Sequence, residues 1–410
     1  MSTERLYYED SWLTEFDARV TSVTESADGR SVVTLDRTAF YPTGGGQPTD
    51  TGLLGAARVV ECADAEGEGV LHFVEGGAPA VGERVRGRVD WPRRLDHIQQ
   101  HTGQHILSQA FVELFGAQTR SFRMLAEASE VDIDLPEPSD ATIERAVDRA
   151  NEIIWDDRPV RVHRVTAEEA ARMPLRRDSA REGELRVVEI EGFDLSPCGG
   201  THARRTGEVG LLAVRQWERA KGLARLTFVA GGRALADYRR ANRAARASAA
   251  LFSVPRDETA EAVARLFEEH RQLQRRARAL EEVAARAEAR ELAEEAGPAT
   301  GAGPRVVARA FEGRDAEGLR RLALAVVAAR TDVVALLGSR DAEGARLVFA
   351  RGAGAPGDMN ALVREACRLL EGRGGGRPDL AQGGGPRAGR LAEALDAAAR
   401  TAREGVGSKP

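Results

Sequence analysis

Short runs in which apolar and polar residues alternate fill the start of the chain. ARVTSVTES, SVVTLDRTAFYP, ARVVECAD, GVLHFVEG and RVRGRVDW follow one another, with Gly or Asp-Gly punctuation between them. A period of two marks strands with one buried face, and recurrence every ~8–15 residues predicts a small antiparallel barrel. This N-terminal β-barrel is expected over residues 1–90. The pattern then changes. A helix carries DHIQQHTGQHILSQAF, SEVDIDLP reads as a strand, and IERAVDRANEIIWDD is an amphipathic helix. Strands follow at RPVRVHRV, LRVVEIEG, GLLAVRQWERA and ARLTFVAG, so residues 91–232 read as an α+β domain around one sheet.

From 233 to 296 the chain becomes rich in Ala, Arg and Glu. Leu266, Leu273, Leu280 and Ala287 recur every seven residues, with Val263, His270, Ala277 and Ala284 three before each. That is a heptad seam. Ser253-Val254-Pro255 divides the region into two helices expected to pack as a hairpin. His270 within the seam reads as a packed or solvent-edge residue. GPATGAGP at 297–304 has the composition of a linker. Residues 305–410 alternate strands (PRVVARAF, TDVVALLGS, ARLVFARG) with helices, which predicts a small α/β domain containing two Gly-rich turns in GRGGGRPDLAQGGG. The fold class is therefore α+β and multidomain.

A chain of 410 residues exceeds one core, in line with several domains. Three cysteines give no disulfide framework, so Cys62 and Cys367 read as small buried residues. MSTERLYYEDSW has no apolar run of signal length, and no stretch reaches ~18 apolar residues. A cytoplasmic protein without membrane contact is expected. The net charge of −5 carries no global signal for nucleic acid. Lys221 and Lys409 are the only lysines among 59 basic residues, which points to a compositional arginine bias. Any contact with nucleic acid must then come from local patches.

Two strings concentrate metal-ligand chemistry. His101 and His105 stand one helical turn apart, and Cys198 and His202 enclose the turn-prone Gly199-Gly200-Thr201. Three imidazoles and one thiolate suit a tetrahedral Zn²⁺. His97 and His101 share the same spacing, so two histidine pairs remain open on the residues alone. A third string, Phe40-Tyr41-Pro42-Thr43-Gly44-Gly45-Gly46-Gln47, lacks the Lys-Ser/Thr of a phosphate loop. It is either a flexible hairpin or a backbone stretch approaching a ligand, and Thr43, Gln47 and Asp50 favour the second. No GxSxG elbow is present.

YPTGGGQPTDTG, QQHTGQHILSQAF, EIEGFDLSPCGGTH, GLARLTFVAGGRAL and GGGRPDLAQGGG, in this order, resemble the freestanding alanyl-tRNA editing proteins, the AlaX family. These look like the editing and C-terminal parts of alanyl-tRNA synthetase without its aminoacylation domain. The resemblance covers nearly the whole chain. It implies that residues 91–232 form a zinc-dependent editing domain whose ligands are His101, His105, Cys198 and His202, leaving His97 aside. It implies that 305–410 resemble the DHHA1 domain. The implied activity is hydrolysis of alanine tRNA mischarged with serine or glycine, with one Zn²⁺ polarising the ester or activating water. Thr43 is implied as the donor that recognises a serine hydroxyl. Gly44, Gly45, Gly46, Gln47 and Gln104 are expected around the substrate, although a solvent-facing Gln104 fits the sequence equally well. Arg123 stands where relatives usually carry His, a departure that bears on substrate discrimination.

Two uses of the C-terminal half are expected: a homodimer through the seam, or tRNA phosphate contacts by Arg373, Arg377 and Arg387 beside the Gly-rich turns. Three rivals are weighed. An intact synthetase needs a catalytic domain for which the barrel start leaves no room. A DHH-type phosphoesterase needs an Asp-His-His centre, and the nearest string is Asp96-His97-Ile98. A non-catalytic zinc-stabilised RNA-binding protein is the serious alternative.

Overall fold

The computed structural model describes residues 3–65, 69–177, 184–296 and 304–404, which leaves most of the expected linker outside. The chain groups into two compact units, 1–256 and 257–410. Among the described residues no helix is long and apolar enough to cross a membrane.

The first unit begins with β1 (Glu4–Arg5), β2 (Glu15–Glu25), β3 (Ser31–Leu35) and β4 (Arg37–Thr38). It continues with β5 (Gly52–Leu54), β6 (Ala57–Ala65), β7 (Gly69–Glu75) and β8 (Arg84–Val89). Six of these close into a barrel in the order β2-β3-β7-β6-β5-β8, while β1 and β4 pair in parallel beside it. Alternation along β8 (exposed, buried, exposed, buried) shows the period-two pattern at work. Phe16, Val20, Val33, Leu35, Phe40, Leu54 and Val59 fill the interior.

Helix α1 (Trp91–Phe115) leaves the barrel with Pro92 in its first turn and ends at Gly116 in the left-handed conformation. It is followed by β9 (Thr119–Met124), β10 (Ser129–Ile133), α2 (Asp140–Trp155), β11 (Val160–Thr166) and the single turn α3 (Ala167–Ala170). Next come β12 (Glu184–Ile190), β13 (Asp194–Pro197), β14 (Leu212–Ala220), β15 (Leu223–Ala230) and α4 (Gly231–Phe252). These strands make two sheets where one was expected: β14-β15-β10-β9 and β11-β12-β13. Between β10 and β11 in the chain, the Ser139 cap starts α2, whose Ile143, Ala146, Ala150, Ile153 and Ile154 join Ile106, Phe111, Ile133 and Phe228 in one core while its opposite face stays exposed.

One polar interaction ties barrel to helix. Arg94 on α1 and Asp50 in the loop before β5 are both fully buried and ion-paired. The Arg94 guanidinium also donates to the carbonyls of Ser11 (2.7 Å) and Ala39 (2.5 Å), while Asp50 accepts the Tyr41 amide at 2.7 Å.

The second unit holds α5 (Thr259–Glu295), β16 (Arg305–Glu312), α6 (Ala316–Ala329), β17 (Val333–Asp341) and β18 (Gly344–Arg351). Then come α7 (Met359–Leu369), β19 (Arg373–Gly376), β20 (Leu380–Gly385) and α8 (Leu391–Glu404). The sheet order is β16-β17-β18-β20-β19. β17 is apolar on both faces: Val333, Ala335 and Leu337 meet α5 and α6, whereas Val334 and Leu336 meet α7 and α8.

Two expectations are corrected here. The Gly-rich segments 374–376 and 383–385 are not turns but the paired strands β19 and β20, with Gly374 opposite Gly383. A β-carbon on Gly374 would stand 2.8 Å from the Cys367 Sγ, and one on Gly383 2.5 Å, so only glycine lets these strands lie against α7. The heptad leucines are also not buried. Leu266, Leu273 and Leu280 are 51%, 62% and 70% exposed, and the packed stripe of α5 is Ala285, Ala289, Leu292 and Ala293. The two helices expected to form a hairpin fall in different units.

Asp50→Ala leaves the Arg94 charge buried without its partner. The first unit is expected to lose about 3–5 kcal/mol in denaturant unfolding. A midpoint unchanged from the wild type would show the pair to be dispensable.

Candidate metal centre

α1 supplies His101 and His105 from one face, and the segment leaving β13 supplies Cys198 and His202. The ligand atoms of these four side chains all lie within 4.8 Å of one another. Cys198 Sγ is 3.3 Å from Nε2 of both His101 and His202. A tetrahedral ion with N at ~2.0–2.1 Å and S at ~2.3 Å separates N from S by about 3.5 Å, so the cluster fits a zinc-like ion.

Each imidazole has its other nitrogen engaged. His101 Nδ1 donates to Gln47 Oε1 at 2.7 Å, His105 Nδ1 to Asp194 at 3.0 Å, and His202 Nδ1 faces the Thr102 hydroxyl at 3.3 Å. A proton held at Nδ1 leaves the Nε2 lone pair for a metal. Burial pushes the Cys198 thiol up, but the three imidazoles, led by His101, draw it well below its usual range. It is a thiolate. Burial lowers His202 to about 3, which keeps that ring neutral. His105 is also disfavoured as a cation by burial, yet the Cys198 thiolate and Asp194 outweigh this and raise it. Asp194 is held at about 2, since His105 and Arg176 outweigh its burial.

Packing accounts for Gly200 and Thr201 of CGGTH, while nothing in the structure explains Gly199. Neither Gly199 nor Gly200 has positive φ among the glycines that do, so the turn itself does not require them. Gly200 is needed for another reason: its β-carbon would lie 2.2 Å from Cε1 of His101. Thr201 is fully buried against Gln47, and the Ser11 hydroxyl accepts the His202 amide at 3.2 Å.

The Gly-rich loop serves the same centre. Gly44 and Gln47 exchange backbone hydrogen bonds (3.0 and 2.9 Å) around Gly45 and Gly46, whose φ values are +56° and +82°. This is a two-residue hairpin turn of the kind that demands glycine. Gly46 also docks on β9: its carbonyl accepts the Met124 amide at 2.8 Å, and a β-carbon would meet the Phe122 carbonyl at 2.5 Å. Phe122 in turn lies 5.5 Å from the His101 ring.

The structure brings His101, His105, Cys198 and His202 together and leaves His97 outside the cluster. His97 is buried, and its Nδ1 has no hydrogen-bond partner among the described residues. Gln47, expected near substrate, is fully buried and committed to His101 and Thr201. Gln104 is buried as well, so the solvent-facing alternative fails. Its amide donates to Ser108 at 2.7 Å, which also takes the Thr119 hydroxyl at 2.6 Å. Thr43 is exposed at the base of the hairpin, with its amide on the Cys62 carbonyl at 3.1 Å. Arg123 sits on the strand face opposite Phe122, ion-paired to Glu130 at 2.7 Å and 55% exposed. Arg377 pairs with Asp379 and Arg387 with Glu371, while Arg373 lies on the edge strand β19.

Asp194 and Arg186 escaped the sequence reading. Arg186 on β12 donates to the Cys198 carbonyl (2.6 Å), the Gly200 carbonyl (3.0 Å) and the Tyr8 carbonyl (3.1 Å), and lies 5.4 Å from the Tyr8 ring. Its buried guanidinium thus pins the ligand turn to the N-terminal segment. The sole signal was its place in LRVVEIEG, one strand before the cysteine.

Gln47→Leu removes the acceptor that orients His101 while nearly preserving volume. Metal affinity is expected to fall about 10–100-fold, read by competition with a chelator. Equal affinity would assign Gln47 to packing alone.

Three family models match. Residues 2–93 match tRNA synthetases class II (A), 185–227 match the threonyl and alanyl tRNA synthetase second additional domain, and 303–404 match the DHHA1 domain. The alanyl-tRNA editing protein AlaX-L of Pyrococcus horikoshii is 32% identical over 395 residues, covering 93% of this chain and 94% of that protein. The alanine–tRNA ligase of Pyrobaculum neutrophilum is 36% identical, covering 93% of this chain but 42% of the ligase. That of Methanothrix thermoacetophila is 33% identical, with 98% and 45% covered. The chain thus spans less than half the length of these ligases. Full-length agreement with the editing protein, together with the donor cluster, decides the assignment: the chain belongs to the family of alanyl-tRNA editing proteins.

Proposed function

We propose that this chain is a zinc-dependent deacylase that acts in trans on alanine tRNA mischarged with serine or glycine. The observation that carries the reading is the convergence of three Nε2 atoms and a thiolate, each imidazole held by a second residue. Such a donor set favours zinc over harder cations. His101, His105, Cys198 and His202 would hold the zinc, which with all four bound would anchor the pocket or, by expanding its coordination, polarise the ester or activate water. Gln47, Asp194 and Thr102 keep the three rings in the required tautomer. Cys198, fixed by Arg186, is occupied as a ligand and not as a nucleophile. Water is therefore the attacking group. Its oxygen forms the new bond to the ester carbonyl carbon, the bond to the terminal ribose oxygen breaks, and free amino acid and tRNA leave.

Thr43, exposed next to the hairpin, is the proposed donor to the serine hydroxyl. A site that hydrogen-bonds this group rejects alanine, which a purely apolar pocket cannot exclude by size. The exposed leucines of α5 support a homodimer through the C-terminal half as part of the same proposal, and the mass of the purified protein in solution reads it directly.

Multiple-turnover deacylation of serylated alanine tRNA separates this enzyme from a non-catalytic zinc-stabilised RNA-binding protein. Cys198→Ala and His105→Ala are expected to lose both the metal, about one zinc per chain in the wild type, and hydrolysis. Full zinc content in Cys198→Ala would falsify the ligand assignment.

Thr43→Val is expected to weaken seryl-ester hydrolysis by about 1–3 kcal/mol in transition-state binding while alanyl-ester hydrolysis stays level or rises. Equal changes on both esters would mean that Thr43 is structural.

A further inference from the structure

Helix α4 is strongly basic in a chain whose net charge is negative. Its 22 residues include Arg233, Arg239, Arg240, Arg243 and Arg246 against a single acid, Asp237, in a chain whose net charge is −5. Two of these arginines are neutralised. Arg233 pairs with Asp96 on α1, and Arg240 pairs with Asp237. Arg239, Arg243 and Arg246 are exposed and make no ion pair or side-chain hydrogen bond among the described residues. At positions i, i+4 and i+7 they fall within about 60° of arc and span about 10 Å of the helix axis. That row matches the span of a few successive phosphates on one strand.

The base of α4 is fixed to the helix that bears the metal ligands. Gln100, the neighbour of His101, exchanges two 2.9 Å hydrogen bonds with Ala230, the residue before α4. Gln99 accepts the Gly232 amide at 3.1 Å, and Arg233 closes on Asp96 at 2.6 Å. The base of α4 is therefore mounted on the same helix that carries His101 and His105.

We propose that Arg239, Arg243 and Arg246 grip the phosphodiester backbone of the RNA whose acylated end enters the metal centre. The inference rests on the deacylase reading for the identity of the RNA, tRNA(Ala). Its physical basis is charge complementarity on a rigidly mounted helix. Such contacts position the RNA without reading its bases.

The test is binding of uncharged tRNA(Ala) to the full chain by fluorescence anisotropy between 50 and 300 mM salt (about the range over which counterion release is resolved). A triple variant R239Q/R243Q/R246Q is compared with the wild type and with R239K/R243K/R246K. Zinc content and circular dichroism establish that each variant is folded. The glutamine triple is expected to bind about 10–100-fold more weakly near 0.1 M salt. Its log Kd against log salt slope should be shallower by about 2–3, close to 0.9 for each lost phosphate contact. The lysine triple should recover most of both. Wild-type affinity and slope in the glutamine triple would overturn the inference and leave the row to an acidic protein partner. Weaker binding with an unchanged slope would overturn it too, because the loss would not be ionic. Uncharged tRNA keeps the two readings apart: a wild type that binds through this row yet hydrolyses nothing removes the deacylase and leaves the arginine row standing.

Discussion

The buried Arg94–Asp50 pair sets the geometry on which the rest of the first unit depends. One guanidinium on α1 reaches the carbonyls of Ser11 and Ala39, and its carboxylate partner fixes the Tyr41 amide. The helix that presents His101, the N-terminal segment that supports His202 and the hairpin that delivers Gln47 thus share one hub. A buried charge pair adds little net stability over well-packed apolar residues, but it is strict about geometry. Strictness is what a metal site needs when its ligands come from two segments about a hundred residues apart and their support from the N-terminal segment and the hairpin.

Around the metal ligands the same economy recurs. The oxygens that face the Nδ1 atoms come from three different elements: the hairpin (Gln47), β13 (Asp194) and α1 itself (Thr102). The thiolate is favoured by the imidazoles it faces and its turn is held by Arg186. Because each imidazole is held by a second residue, an ion would meet a site already in shape. The cost of organising it is met by folding and not by binding.

Much of this was legible in the chain. The residues alone marked Cys198, His202 and two open histidine pairs, the family resemblance chose His101 and His105 over His97, and alternation gave the barrel strands. What stayed hidden is non-local. Gln47 and His101 are 54 positions apart, and His105 and Asp194 are 89 apart, so no local pattern joins them. Glycine proved ambiguous for a physical reason. In GGGQ it serves a positive-φ hairpin, at Gly200 it admits a ring, and at Gly374 and Gly383 it lets a strand pair touch Cys367. All three look alike in sequence. The heptad of α5 reads as a seam whether or not a partner covers it, and the split into two sheets required knowing where α2 packs.

The spacing of the metal donors also bears on how the molecule comes apart. His101 and Cys198 are 97 residues from each other along the chain, and an ion held by both closes a loop of nearly a hundred residues. A covalent cross-link over such a loop removes conformational entropy from the unfolded chain worth about 4.7 kcal/mol in the simplest polymer treatment. A tightly held ion acts as a reversible version of that cross-link. Unfolding the first unit must therefore either eject the ion or carry a constrained loop. With an ion bound, the cluster would act as a clasp on the fold, and metal removal would be expected to lower the stability of the first unit.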